Sequence, residues 1–167
     1  MMTAKDIIER LGLTPHPKEG GFFRETYRSD ESISQCLSMR YGAKARRLST
    51  AIYYLLTPET FSRMHRLKSD EVFHFYLGDP VQMLWLFEDG HSQVVVLGND
   101  ISKGFDPQVV VPKGVWQGAF LMEGGAFALL GTTVAPGFEY EDYEEGSRTE
   151  LISRYPDEEA LITRLTK

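Results

Sequence analysis

The region from residue 48 to residue 134 consists of short apolar and aromatic runs that are separated by turn residues. Asp89 and Gly90 lie between two such runs, and an Asp-Gly pair in this setting is typical of a tight β-hairpin. Residues 112–114 and 123–125 contain Pro or Gly and mark further turns. Strands that recur at roughly ten-residue spacing with turns between them indicate a sandwich or a barrel. The chain is therefore predicted to be all-β in this region.

The predicted strands are rich in β-branched and aromatic residues and are bounded by turn signals. They cover residues 22–28, 48–56, 61–66, 71–77, 81–87, 92–97, 108–111, 115–122 and 126–134. Residues 29–45 show no strong period, and we predict a long loop there. We expect helices only at the two ends, over residues 3–11, weakly over residues 148–154, and from Pro156 onward. A length of 167 residues fits a single domain, residues 1–167.

Composition narrows the class of protein. No apolar run approaches the roughly 20 residues that span a bilayer, and residues 1–14 lack the apolar centre of a signal peptide. The single cysteine, Cys36, excludes an internal disulfide, which favours a reducing compartment. A net charge of −6 argues against nucleic acid as a partner. We therefore expect a cytoplasmic protein that binds neither membranes nor nucleic acid.

Charge is nevertheless unevenly distributed along the chain. Residues 40–47 carry four basic side chains, whereas residues 139–145 alternate acidic and aromatic residues. The simplest interpretation is that each run is a solvated loop or a partner surface. A basic loop beside a pocket could alternatively attract an anionic ligand.

Residues 61–78 hold the most chemically informative side chains, which are His65, Glu71 and His74. Titratable groups in so aromatic a setting are costly unless they have partners, so we predict that this stretch forms one wall of a small-molecule pocket. Alternate residues of a strand share a face, which places Glu71 and His74 on opposite faces. His65 and Glu71 are therefore the better pair, and Gln117 could join them only in the folded domain.

The segment His65-x-Leu67-x-x-x-Glu71, followed by Gly78, resembles the first motif of the cupin superfamily. In that motif a second histidine stands where this chain has Leu67. The segment Pro112-x-Gly114-x-x-Gln117 resembles the second motif, with Gln117 in place of a histidine and Leu121 in place of an asparagine. The resemblance implies a cupin fold, but two of the four usual metal-ligand positions are changed.

More specifically, residues 20–28, 69–78 and 111–117 resemble the Cupin_5 (DUF985) family. This resemblance implies a jelly-roll (double-stranded β-helix) cupin barrel with helices packed outside it. It also implies a homodimer and no firmly assigned reaction. The stretch that contains Arg24 and Glu25 is also similar to a strand of the deoxysugar-nucleotide 3,5-epimerases, where it helps to build the nucleotide-sugar pocket. Either residue could therefore reach a pocket, including that of a partner subunit, or form an ion pair of little consequence.

Three functions follow from these residues. The first is binding of a small polar metabolite, such as a sugar or nucleotide sugar, with His65 as the acid or base of an epimerase or isomerase and Glu71 as its orienting group. The second is a divalent-metal-dependent enzyme that uses His65, Glu71 and Gln117 as ligands, which Leu67 and the weak amide donor disfavour. The third is a non-catalytic small-molecule-binding protein, because fold does not determine function.

Further candidate ligand-binding residues are aromatic. An aromatic-lined barrel mouth suits a sugar or nucleobase ring, although core packing is the simpler interpretation of each side chain taken alone. These candidates are Tyr53, Phe73 and Trp85.

Overall fold

The computed structural model describes residues 2–33, 39–42 and 44–167, and its central feature is a pair of packed β-sheets. The helices are α1 (Ala4–Leu11), α2 (Arg148–Arg154) and α3 (Glu159–Leu165). The strands are β1 (Thr14–Pro15), β2 (Phe22–Arg28), β3 (Ser32–Ile33), β4 (Arg46–Arg47), β5 (Thr50–Leu56), β6 (Phe61–Arg66), β7 (Asp70–Gly78), β8 (Val81–Leu86), β9 (Ser92–Leu97), β10 (Gln108–Val111), β11 (Trp116–Leu121), β12 (Ala128–Ala135) and β13 (Glu144–Glu145).

The two large sheets have the strand orders β1-β2-β5-β12-β7-β10 and β13-β6-β11-β8-β9. Neighbouring strands within them are antiparallel, and many are distant in sequence, as the long crossovers of a jelly roll require. The inner faces meet in an apolar core that includes Tyr54, Phe73, Met83, Trp85 and Leu130. The predicted all-β jelly-roll class is thus confirmed.

The helices cover the outer faces of the sheets, as predicted. Leu151 in α2 and Ile162 in α3 pack on Met64 and Phe120 of the five-stranded sheet. Ile7 in α1 packs on the six-stranded sheet, and the helix begins at Thr3, whose side chain and that of Asp6 form a capping box. None of the helices in the described part of the chain is long and apolar enough to cross a membrane.

The predicted loop over residues 29–45 contains a short strand that the sequence pattern did not indicate. Residues of β3 pair with β4, as Ser32 with Arg47 and Ile33 with Arg46, and form a separate two-stranded sheet. Two-residue strands are too short to show a period, so only the folded partner reveals them. Cys36 lies outside the described residues.

The basic run of residues 40–47 and the acidic run of residues 139–145 are not independent solvated loops, because side chains of one run pair with side chains of the other. The Arg46 guanidinium donates two hydrogen bonds to Asp142, at 2.7 and 2.8 Å, and only 3% of either side chain is exposed. Arg46 also donates to Glu141 at 2.6 Å, and Lys44 bonds the same carboxylate. These bonds attach residues 139–145 to the remainder of the domain, with Glu139 and Tyr140 in the wall of a cavity.

We expect Asp142→Asn to lower the free energy of unfolding by about 3 kcal/mol, because it removes the buried counterion of Arg46 and leaves only the half-exposed Glu141. Urea denaturation measures this loss. Glu144→Gln is the matched control, since Glu144 also pairs with an arginine, Arg66, but is 56% exposed. The control should cost less than about 1 kcal/mol. Equal losses in the two variants would show that the Arg46–Asp142 pair does not hold this segment.

Candidate functional site

A cavity of about 280 Å³ lies between the two sheets, near one end of the jelly roll. Strands β2, β5, β7 and β12 supply most of its wall, and β6 contributes His65 from the opposite sheet. The lining residues that matter for its chemistry are His16, Glu19, Glu25, Arg28, His65, Leu67, Glu71, Thr132 and Glu139, with Phe23, Ile52, Phe138 and Tyr140 as apolar or aromatic surface.

A β-bulge in β6 determines which of its residues face this cavity. Gln117 of β11 lies opposite His65, and Ala119 lies opposite Ser62, so Arg63 and Met64 together oppose a single residue. Met64 therefore packs against the C-terminal helices, while Ser62 and His65 are both buried on the inner side. Strict alternation would have placed Ser62 and His65 on opposite faces.

His65 is held in one tautomer. Its Nδ1 lies 2.6 Å from the backbone carbonyl oxygen of Arg63, and a carbonyl can only accept, so Nδ1 carries the hydrogen. In the neutral ring Nε2 then has a free lone pair, and this atom has no hydrogen-bond partner among the described residues. Tyr143 stacks on the ring at a centroid distance of 4.9 Å and fixes its plane. His65 is only 1% exposed.

Glu71 is the other buried titratable group of the cavity, with 6% of its surface exposed. Its Oε2 accepts a hydrogen bond of 2.8 Å from Nε2 of Gln117. Burial, and after it the negative charge of Glu19, raise the pKa of Glu71 to about 7, while His65 acts in the opposite direction. A carboxyl group that ionises near neutrality is suited to acid–base chemistry.

Glu19 is a site residue that the sequence analysis did not identify. It lies in the loop before β2, and its Oε1 accepts a hydrogen bond of 2.5 Å from the Ser62 hydroxyl. Its backbone carbonyl also accepts from the Arg63 N–H at 2.9 Å. Gly20 follows with a φ of 102°, and a side chain there would collide with the Phe61 carbonyl. The only sequence signal was an acidic residue before two glycines, which does not reveal the partner strand.

His16, in the loop before β2, also lines the cavity. Its Nδ1 accepts the backbone N–H of Glu19 at 2.8 Å, so in the neutral ring Nε2 carries the hydrogen. Burial lowers the pKa of His16, which favours this neutral form.

The structure brings together some of the predicted site residues. His65, Glu71 and Glu25 line the cavity, and Gln117 lies behind it as a hydrogen-bond donor to Glu71. His74 lies on the outer face, where it bonds Thr133 at 3.2 Å, in agreement with the predicted strand parity.

Four other candidates do not line this cavity. Tyr53 is on the outer face of β5, because its neighbours Ile52 and Tyr54 point inward. The Arg24 guanidinium lies 5.6 Å from the centroid of that Tyr53 ring, so Arg24 also points away from the cavity. Phe73 and Trp85 point inward but pack in the apolar core and do not line the cavity.

The residues present do not fit a divalent metal. Leu67 is buried in the cavity wall at the position where a second histidine would be needed. The Gln117 amide donates to Glu71. Across residues 2–33, 39–42 and 44–167, no three His, Cys, Asp or Glu side chains are grouped to hold a metal ion. Of the four motif positions, His65, Glu71 and the weakly donating Gln117 Oε1, which has no partner among the described residues, remain, and they form a weaker donor set than divalent metal sites use.

Comparison with known proteins identifies the family. Residues 5–145 match Cupin_5, the cupin superfamily group DUF985. This chain belongs to the Cupin_5 family.

Relatives of this cupin include an uncharacterised protein of Saccharomyces cerevisiae, which is 32% identical over 148 residues, covering 83% of this chain and 73% of the yeast protein. A hypothetical protein from Leishmania major has a solved structure with a TM-score of 0.89 and 32% identity, over 99% of both chains. A protein from Shewanella oneidensis has a TM-score of 0.88 and 34% identity, over 100% of this chain and 99% of that one.

More distant structures share the fold alone. Oxalate decarboxylase from Bacillus subtilis superimposes with a TM-score of 0.53 at 13% identity. That match covers 92% of this chain but 37% of the decarboxylase. It therefore supports the cupin architecture and says nothing of the reaction.

Glu71 should make the stability of this cupin depend on pH. Because its pKa rises from an ordinary 4.5 to about 7 on folding, the folded state holds more protons than the unfolded state between these values. The free energy of unfolding therefore falls as pH rises through this interval, by an amount on the order of 3 kcal/mol. Glu71→Gln keeps the acceptor for Gln117 but cannot ionise, so we expect it to remove this fall.

Urea denaturation at a series of pH values from about 4 to about 8 measures the effect. Glu123→Gln is the control, since Glu123 is an exposed carboxylate in a turn. Parallel pH profiles for the wild-type protein and Glu71→Gln would contradict the raised pKa of Glu71.

Proposed function

We propose that this cupin binds a small polar metabolite in the cavity and transfers a proton at a carbon next to a carbonyl, as an epimerase or isomerase does. The observation that carries this proposal is the combination of His65, whose tautomer is fixed, with Glu71, a buried carboxyl that ionises near neutrality. Both side chains line the same cavity.

His65 is suited to act as the base. In the neutral ring its Nε2 lone pair is available, because Nδ1–H is committed to the Arg63 carbonyl. Catalytic imidazoles are commonly oriented in this way by an acceptor behind the ring. The sequence suggested that Glu71 would orient His65, but the backbone of Arg63 and the Tyr143 ring perform that task here.

Glu71 is then free to act as the acid. A group transfers protons best when its pKa lies near the operating pH, so that both protonation states are populated. The cavity supplies this condition through burial and through the nearby charge of Glu19. His65 and Glu71 line the same cavity from opposite sheets, so one can accept the proton from carbon while the other returns a proton, as epimerisation needs.

Proton transfer can be tested before the substrate is known. The protein would be incubated with a mixture of cell metabolites in D₂O, and mass spectrometry would identify compounds that gain carbon-bound deuterium. A base that removes a proton from carbon exchanges it with solvent, so we expect at least one labelled compound. Labelling should be lost, by at least about 100-fold, in His65→Gln and in Glu71→Gln.

His91→Gln serves as the control, because His91 is exposed and lies in a hairpin turn. A metabolite that binds without acquiring deuterium would instead favour the non-catalytic binding protein. Labelling that persists in His65→Gln would contradict the role of His65 as the base.

The homodimer that the family resemblance implies is a second proposal, and it concerns assembly. Light scattering after size-exclusion chromatography should give twice the mass of one chain. A mass equal to one chain, independent of concentration, would contradict it.

A further inference from the structure

The charges around the cavity are strongly one-sided. Among the described residues that line it, four carboxylates face one guanidinium. The carboxylates are Glu19, Glu25, Glu71 and Glu139, and the guanidinium belongs to Arg28. Phosphates and carboxylates are recognised in proteins by arginine, lysine or clustered N–H groups. The wall therefore carries mostly acidic side chains, whereas an anionic ligand requires basic ones.

The single arginine is already engaged. Arg28 donates to Glu139 at 2.6 Å and to both oxygens of Glu25 at 3.0 and 2.8 Å. It also donates to the Phe138 carbonyl at 3.2 Å. Lys18 does not line the cavity, and its ammonium lies 5.6 Å from the centroids of the Tyr140 and Tyr143 rings. Among the described lining residues, no unpaired cation is therefore left to receive an anion.

Buried acceptors, by contrast, are available. His65 is 1% exposed, lines the cavity and has an Nε2 lone pair without a protein partner among the described residues. Ser62 bonds Glu19 through Oε1, so the second oxygen of Glu19 is left for a ligand, whereas Glu71 already interacts with Gln117 and with the Thr132 hydroxyl. His16 contributes one donor, the Nε2–H. A ligand must therefore bring N–H or O–H donors to satisfy these acceptors, and the excess of carboxylates in the wall favours a positively charged N–H group.

We infer that the ligand of this cavity carries a protonated nitrogen, such as an ammonium or amidinium group, that binds the Glu19 carboxylate and leaves His65 and Glu71 to the reacting carbon. Its carbon skeleton then packs on the apolar side chains of Phe23, Ile52 and Phe138. The Tyr140 ring in the same wall is compatible with a cation. This inference rests on the proposed function for the location of the site, and it replaces a nucleotide sugar with an amine-bearing metabolite.

Three probes that differ in charge but share one ring test this inference: benzylamine, benzyl alcohol and benzoate. Titration calorimetry or ligand-observed NMR would compare their affinities for the intact chain. We expect benzylamine, which is protonated at neutral pH, to bind at least about tenfold more tightly than benzoate. Benzyl alcohol should lie between them, because it offers a donor without charge.

Glu19→Gln should lower the affinity for benzylamine about tenfold and leave that for benzyl alcohol nearly unchanged. Ser62→Ala is a second variant, which keeps the Glu19 carboxylate but removes its positioning hydrogen bond. It should weaken benzylamine binding in the same direction. Glu123→Gln makes the same change in net charge at an exposed turn and should alter neither affinity.

Benzoate binding as tight as benzylamine binding, or no saturable binding of any probe, would overturn the inference. Equal loss of benzylamine affinity in Glu19→Gln and Glu123→Gln would also overturn it, because binding would then follow net charge alone. These results are distinct from failure of the proposed function. A benzylamine preference without deuterium exchange contradicts catalysis alone, whereas His65-dependent exchange with a benzoate preference contradicts the ligand class alone.

Discussion

The cavity depends on the bulge in β6. Without the extra residue, Ser62 and His65 could not both face inward, because their separation of three positions would place them on opposite faces of the strand. At the bulge, the Arg63 N–H binds the Glu19 carbonyl, and the Arg63 carbonyl receives the His65 Nδ1–H. The backbone of Arg63 thus positions both the loop that carries Glu19 and the His65 ring, whose Nε2 has the free lone pair.

The part of the cavity wall that residues 138–140 form is held in place by ion pairs between segments that are distant in sequence. Arg46 and Asp142 are almost completely buried, which is favourable only because each satisfies the other with two hydrogen bonds. Arg28 connects β2 to Glu139 in the same acidic segment. The basic and acidic runs of the sequence therefore have a structural role. Their ion pairs attach residues 139–145 beside the cavity and place Tyr143 against His65.

Local patterns were sufficient to predict most of the fold. Strand β9 and the hairpin that precedes it follow from the Asp89-Gly90 turn, and motif spacing placed His65 and Glu71 at one site. The alternation of side chains along β7 also predicted correctly that His74 lies on the outer face of the sheet. Each of these inferences uses residues that are close in sequence, where alternation and turn chemistry determine the geometry.

The remaining features depend on contacts between distant residues. Arg46 and Asp142 are 96 positions apart, and neither sequence run identifies the other. Glu19 becomes a site residue only through Ser62, and the bulge that turns Ser62 inward has no local signature. Tyr53 was selected for its aromatic ring, whereas its orientation follows from the burial of Tyr54 beside it.

Replacing cupin metal ligands with Leu67 and Gln117 alters the electrostatics of the acids that remain. In a metal site the positive ion would compensate a carboxylate such as Glu71 and keep it ionised. Here burial, and after it the negative charge of Glu19, raise the pKa of Glu71, and the hydrogen bond from the neutral Gln117 amide opposes this rise only in part. The cavity thus lacks two of the imidazole ligands of a cupin metal site, at Leu67 and Gln117, but keeps carboxylates that a positive charge would stabilise. A protonated nitrogen can supply that charge through N–H hydrogen bonds, without the fixed coordination geometry that a metal ion requires.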